Sequence, residues 1–317
     1  MLQSSTSGPE LPRDFFWRRL HSLTGVFLVL FLFEHLLTNS EAALPVGEDG
    51  WGFIRMVNLI HALPYLKVIE VLLLGVPILI HAYWGLRYLL TAEPNSWPSN
   101  GSRPSLPQYA RNHFYTLQRI TSWIILIGIA AHVTQMRFMR YPAESEYGGS
   151  NQYVVRVGMD QGLVTLADRL GVELYTEQDI KDVKATVPSD PPVRADKAAL
   201  LGAQAREQHA EFVEALEHKA LGADDVMAVA SSEGAAILLT VRDVLKSPAM
   251  ALLYSILVLG SVFHASNGLW TACIVWGVTL SARSQAWMKQ LCVGLMALLA
   301  FLGLAAIWGT YWFNLYH

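Results

Sequence analysis

Four histidines sit where an ionisable side chain needs a reason. His35 lies near the far end of FFWRRLHSLTGVFLVLFLFEHLLTNS, His81 within VLLLGVPILIHAYWGLRYLL, His132 within LQRITSWIILIGIAAHVTQM and His264 within ALLYSILVLGSVFHASNGLW. Each stretch is apolar and long enough to cross a bilayer, and hydrocarbon offers an imidazole no water, so an ionisable group there is a functional hypothesis with a partner to be found. A neutral imidazole gives iron a nitrogen lone pair while its second nitrogen binds a carbonyl or side chain. Four imidazoles from four helices therefore suit two haems, each held by a pair of histidines. Cys273 and Cys292 have no CxxCH or CxxC spacing, so any haem would be b-type, held by ligation and packing.

The elements that must position them are membrane spans. Of the 317 residues, 53% are hydrophobic, 11% aromatic and only 15% charged, and the mean hydropathy is +0.32, which is unlike a soluble domain. Five spans are expected at roughly 16–38, 67–92, 114–139, 248–279 and 286–312, each exceeding the ~20 residues that cross about 30 Å of hydrocarbon. The polar first 15 residues and the long run after them do not resemble a cleavable signal, so the first span is expected to stay. Arg13, Arg18, Arg19, Arg87, Arg103, Arg111, Arg119, Arg283 and Lys289 fall on one side of the membrane. Arg55, Lys67, Arg137 and Arg140 lie near the other ends. The excess of basic residues marks the cytoplasmic side and predicts an N-terminus inside and a C-terminus outside.

Depth sorts the histidines into pairs. His35 is 19 residues past Phe16 and His132 is 18 past Phe114, both on outward-going helices, which puts them ~27–29 Å from the inner ends at ~1.5 Å per residue. His81 and His264 lie on inward-going helices, in the inner half. The outer pair is thus His35 with His132, and the inner pair His81 with His264.

Residues 141–246 differ from the rest, holding 18 of the 26 acids and 10 of the 23 bases. They read as a small extracytoplasmic α+β insertion between spans three and four, with 1–140 and 247–317 forming the membrane domain around it. DKAALLGAQAREQHAEFVEALEHKAL predicts an amphipathic helix, and YVVRV, VMAVA and AILLTV predict short strands. His209 and His218 on that helix are expected to be solvated, since their spacing does not place them on one face. In the loop after the first span, WGFIRMVNLIHALPY predicts an interfacial helix lying along the membrane, with His61 at the surface.

A transporter built on a buried proton relay is the rival reading. No discontinuous helix pair or inverted repeat is visible, and intramembrane acids are nearly absent. Glu34 and Glu70, the exceptions, lie near outer helix ends, where snorkelling accounts for them.

FFWRRLHSLTGVF followed by His35, LQRITSW followed by His132, and SPAM leading into FHASNGLWTACIVWGVTLSARSQ around His264 resemble the cytochrome b membrane-anchor subunit of succinate dehydrogenase and fumarate reductase, in its five-helix dihaem form. The resemblance covers the helices and inner loops but not the insertion. It implies an all-α integral membrane bundle of five helices in a bacterial cytoplasmic membrane. It also implies haem ligands at His35 and His132 (outer) and His81 and His264 (inner). His21 would lie near the inner haem propionates, the alternative being an ordinary interfacial histidine. Arg18, Arg19 and Arg119, at the same depth, could bind a propionate through a charge-assisted fork. The implied function is to pass electrons from an iron-sulfur subunit through the inner and then the outer haem to menaquinone.

The chain shows neither a GxGxxG element nor a cysteine cluster. FAD, the iron-sulfur clusters and the succinate site are accordingly expected on flavoprotein and iron-sulfur partners at the cytoplasmic face, with lipid and quinone as the other partners and no nucleic acid. Two departures qualify the resemblance. Some fumarate reductases of this type have a glutamate two residues before the fourth-helix histidine, and here that position is Val262, which favours succinate oxidation. The expected quinone-site acid is not cleanly matched, leaving Glu34, Glu48 and Asp49 as candidates. A haem b subunit of a hydrogenase or formate dehydrogenase, and the quinol:fumarate direction, are the remaining alternatives.

Overall fold

The protein is described from a computed structural model, over residues 12–43, 50–93, 95–101, 105–186 and 196–312. Glu48 and Asp49 lie outside the described residues.

Five helices are long and apolar enough to cross a membrane: α1 (Arg13–Ser40), α3 (Leu66–Thr91), α4 (Ala110–Met139), α9 (Pro248–Val275) and α10 (Ala282–Trp312). Between them lie α2 (Trp51–His61), then β1 (Ala143–Tyr147), β2 (Ser150–Gly158), α5 (Gln161–Leu170), β3 (Glu173–Tyr175), α6 (Glu177–Ala185), α7 (Asp196–Glu217), β4 (Asp225–Ala230) and α8 (Glu233–Val244). The chain forms two compact units. Among the described residues, one comprises those within 12–36, 65–129 and 256–301, and the other those within 37–64, 130–255 and 302–312.

The first unit is helical. Its spans approach through small residues, which let helices pack closely where lipid supplies no hydrophobic drive. A Cβ on Gly128 would come within 2.6 Å of the Leu257 side chain, and one on Gly260 within 3.1 Å of Ile124, so α4 and α9 are matched knob to gap. Hydroxyls inside the spans turn back on their own helix, as Thr24 Oγ1 does by donating to the Leu20 and His21 carbonyls.

The second unit is built on a four-stranded antiparallel sheet in the order β1-β2-β4-β3. Side chains alternate across it, as the two-residue repeat of a strand requires. Val155, Val157, Val226, Ala228 and Ala230 pack on one face with residues of α2, α5 and α8. Val154, Met227 and Val229 pack on the other with Ile180, Phe212 and Leu216. The helices are capped from the sequence. Asp160 accepts from the Leu163 N–H to start α5, Gly171 ends it at φ 65°, and Thr176 with Asp179 forms a reciprocal box on α6.

Three local expectations are corrected. AILLTV, predicted as a strand, lies inside α8, where Ser232 caps the helix by accepting from the Ala235 N–H. A short continuous apolar run cannot be told from a buried helix by periodicity, and here Ala236, Leu238, Leu239 and Thr240 are all buried. WGFIRMVNLIH is the expected helix, but the apolar face of α2 is buried in the protein. Phe53, Ile54 and Val57 join the sheet's core, and Asn58 Oδ1 accepts the Gly234 N–H at 2.9 Å. His209 is buried at 7% exposure, its Nε2 bonded to the Val183 carbonyl at 3.0 Å, whereas His218 is exposed as expected.

The charges of this unit are organised rather than scattered. Arg242 forms a bidentate pair with Asp160 at 2.8 and 2.7 Å, and Lys246 reaches the same carboxylate at 2.5 Å. Asp243 is held by Arg140 at 2.5 Å and accepts the Gly158 N–H. Burial alone would push the Asp160 carboxyl up, but hydrogen bonds from Arg242 and Lys246 outweigh it and hold it well below the usual carboxylate range. Nearby, Glu233 accepts from the Tyr141 hydroxyl and pairs with His61 at 2.5 Å. Burial together with the Glu233 carboxylate pushes the Tyr141 hydroxyl up to about 12.

Candidate haem-ligand histidines

In the first unit three histidines converge. The rings of His81, on α3, and His264, on α9, have centroids 6.1 Å apart at an interplanar angle of 77°. His21, on α1, stacks on His81 at 4.1 Å and 13°. Gly25, one turn along α1 from His21, makes room for this arrangement, because a Cβ there would lie 2.9 Å from His81 Cε1.

Hydrogen-bonding groups face Nδ1 of these rings. His81 Nδ1 lies 3.0 Å from the His21 carbonyl, which can only accept, so the proton is on Nδ1. The Thr121 hydroxyl, which donates to the Leu117 or Gln118 carbonyl, has its oxygen 3.5 Å from His264 Nδ1. Gln118 adds a second hold, donating to the His264 carbonyl at 3.2 Å while accepting from Asn267 at 2.7 Å. In the second unit the Tyr254 hydroxyl donates to Gln135 Oε1 at 2.9 Å, so its oxygen accepts from His132 Nδ1 at 3.1 Å. His81 therefore carries its lone pair on Nε2, and the contacts of His264 and His132 suit the same tautomer. Such an arrangement, with the second nitrogen engaged by a carbonyl or hydroxyl, is what orients metal-binding histidines. Directly after His132, α4 loosens into a π-helical turn, Thr134–Met139, a distortion frequent at functional sites.

The residues fit haem. Two imidazoles sharing one metal at about 2 Å each would have ring centres about 6 Å apart, and His81 and His264, 6.1 Å apart, are the residues that would hold the group. Buried polar atoms without a hydrogen-bond partner lie on the same helices, among them His21 Nδ1 and Arg119 Nη1. A propionate carboxylate is the kind of group they lack.

The other predicted site residues are placed as follows. Arg119 Nη2 donates to Tyr115 Oη at 3.0 Å, Arg19 lies over the Phe15 ring at 3.5 Å, and Arg18 is exposed. His35 stacks on Phe31 at 5.4 Å, and Glu34 is half-buried beside it. Reading the sequence missed Gly25, Gln118, Thr121, Tyr254 and Gln135. Their signal was present in part, since Gln118 and Thr121 lie within LQRITSW and Gly25 within LTG.

Five helices long and apolar enough to cross a membrane, with His21, His81 and His264 brought together in the first unit, mark a multi-pass membrane protein. Comparison with known proteins agrees: over 296 residues, 93% of this chain and 96% of the relative, it is 25% identical to the succinate dehydrogenase cytochrome b558 subunit of Bacillus subtilis (strain 168), which bears out the resemblance to the anchor subunit. No family model matches the chain, and no solved structure matches it.

Proposed function

We propose that this chain is the haem b membrane anchor and quinone-reactive electron-transfer subunit of a succinate:quinone oxidoreductase. The observation that carries the reading is the His81–His264 arrangement: two imidazoles with ring centres 6.1 Å apart, each with Nδ1 facing a protein oxygen. The full-length similarity to a succinate dehydrogenase subunit supports the assignment.

His81 and His264 hold the inner haem through Nε2. The His21 carbonyl and the Thr121 hydroxyl keep both rings in the binding tautomer, and Gly25 leaves the space that seats His81. His35 and His132 hold the outer haem, a pairing supported by helix depth, with Tyr254 and Gln135 orienting the His132 ring. His21 and Arg119, with Arg18 and Arg19, form the polar end that receives the inner propionates. When bound, the two haems supply one-electron transfer between the iron-sulfur partner and the quinone.

Flavoprotein and iron-sulfur subunits bind at the cytoplasmic face, where the basic loops lie, with the N-terminus inside and the C-terminus outside. The acceptor is menaquinone, with Glu34 the described acid closest in sequence to the outer ligand His35. Residues 141–246 form an extracytoplasmic cap. Purifying the tagged chain from its native membrane should bring down a flavoprotein and an iron-sulfur protein with succinate:quinone activity. Recovery with a different dehydrogenase, or with no soluble partner, would contradict the reading.

A further inference from the structure

At the start of α4 and α10 the first unit has a small cavity of about 200 Å³ that the electron-transfer site does not use. Its lining includes Phe114 and the buried Trp270, with Arg111 and Lys289. The cations are held over the aromatic rings. The Arg111 guanidinium lies 5.5 Å from the Trp270 ring centre, and Lys289 Nζ lies 5.0 Å from that of Phe114. Gln285 fixes the corner: its Oε1 accepts from Arg111 Nη2 at 2.6 Å, and its carbonyl accepts the Trp270 indole N–H at 3.1 Å. A guanidinium has five N–H donors, so this bond leaves Arg111 able to bind a further acceptor.

Three features give the cavity a ligand class. No acid lines it. The first turns of α4 and α10, which supply Ala110, Arg111, Ala282 and Gln285 to its wall, carry no acid either, so both helix ends present their positive poles unopposed. One turn further along each helix, Leu117 and Val293 are exposed at 43% and 48%, apolar side chains on two candidate membrane spans past the cavity. A cationic mouth at the end of two spans, with apolar side chains past it, suits an amphiphile with an anionic head.

We propose that this cavity binds an anionic phospholipid, its phosphodiester between Arg111 and Lys289 and one acyl chain along Leu117 and Val293. The proposal rests on the membrane spans and not on haem, so it can fail or stand independently of the redox assignment. The chemistry shared with free phosphate is the anionic phosphoryl group, and what distinguishes the lipid is the acyl chain.

The test is lipid retention by the intact purified protein, with its partners where they copurify, read by native mass spectrometry after titration with phosphatidylglycerol or phosphatidylcholine. Phosphatidylglycerol should bind about tenfold more tightly than zwitterionic phosphatidylcholine, and raised salt should narrow that gap. Arg111→Gln and Lys289→Gln should each weaken phosphatidylglycerol about fivefold, the equivalent of about 1 kcal/mol per basic residue at a membrane surface, and should leave phosphatidylcholine binding unchanged. Equal binding of the two lipids to the unaltered protein would overturn the proposal, even if the variants fail to fold. Unchanged phosphatidylglycerol binding in a folded double variant would do the same. Displacement of the lipid by millimolar inorganic phosphate would show a phosphate site without a lipid component, and coverage of the cavity by a partner subunit would show as no lipid retained.

Discussion

Alanine at His81 or at His264 should leave the protein with half its haem, the inner one lost and the outer one intact. If His81 and His264 together hold one haem, removing either takes away half of the protein's hold on it. The local structure offers no easy substitute. His264 is held by the side chains of Gln118 and Thr121. His21 is stacked flat on the His81 ring, whose Nδ1 is bonded to the His21 carbonyl. Pyridine haemochrome measurement should therefore give about one haem per chain in either variant and two in the unaltered protein. Because alanine leaves an imidazole-sized gap, added imidazole should restore part of the lost spectrum. Loss of both haems, or of neither, would break the pairing of His81 with His264.

Valine at Gly234 should unlatch α2 from the insertion. A Cβ at this position would lie 2.6 Å from the Ile54 carbonyl oxygen and 2.8 Å from Asn58 Oδ1. The first is backbone, which cannot rotate away. Overpacking typically costs about 1–3 kcal/mol, and parting the helices would also expose Phe53, Ile54 and Val57, each worth about 1.5–3 kcal/mol when buried. A loss of about 3 kcal/mol or more is expected, read as a fall of roughly 10 °C in the unfolding of this unit and as faster proteolysis between 141 and 246. The haem spectrum assigned to His81 and His264 should not change, since both belong to the other unit. An unfolding temperature equal to that of the unaltered protein would show that the helices do not need this close approach.

What the sequence made legible follows from which interactions are local. The spans could be read because membrane crossing demands about 20 apolar residues regardless of neighbours, and the histidines because they interrupt those runs. YVVRV and VMAVA are β-branched and short, and they form β2 and β4 as expected. What stayed hidden depends on residues distant in sequence. The face of α2 looks the same whether it meets lipid or α8, and only the packing of Gly234 on Ile54 decides between them. His209 shows no sequence sign of its bond to Val183. Nδ1 of His81 and of His264 faces a carbonyl on α1 and a hydroxyl on α4, positions 60 and 143 residues away.

The most direct test of the central claim is the reduced-minus-oxidised optical spectrum of the purified chain, with haem counted against protein. The arrangement of His81 and His264, and the matching Nδ1 contact of His132, predict b-type bands and two non-covalently held haems per chain. A protein that purifies folded from membranes without a haem signal would contradict the account.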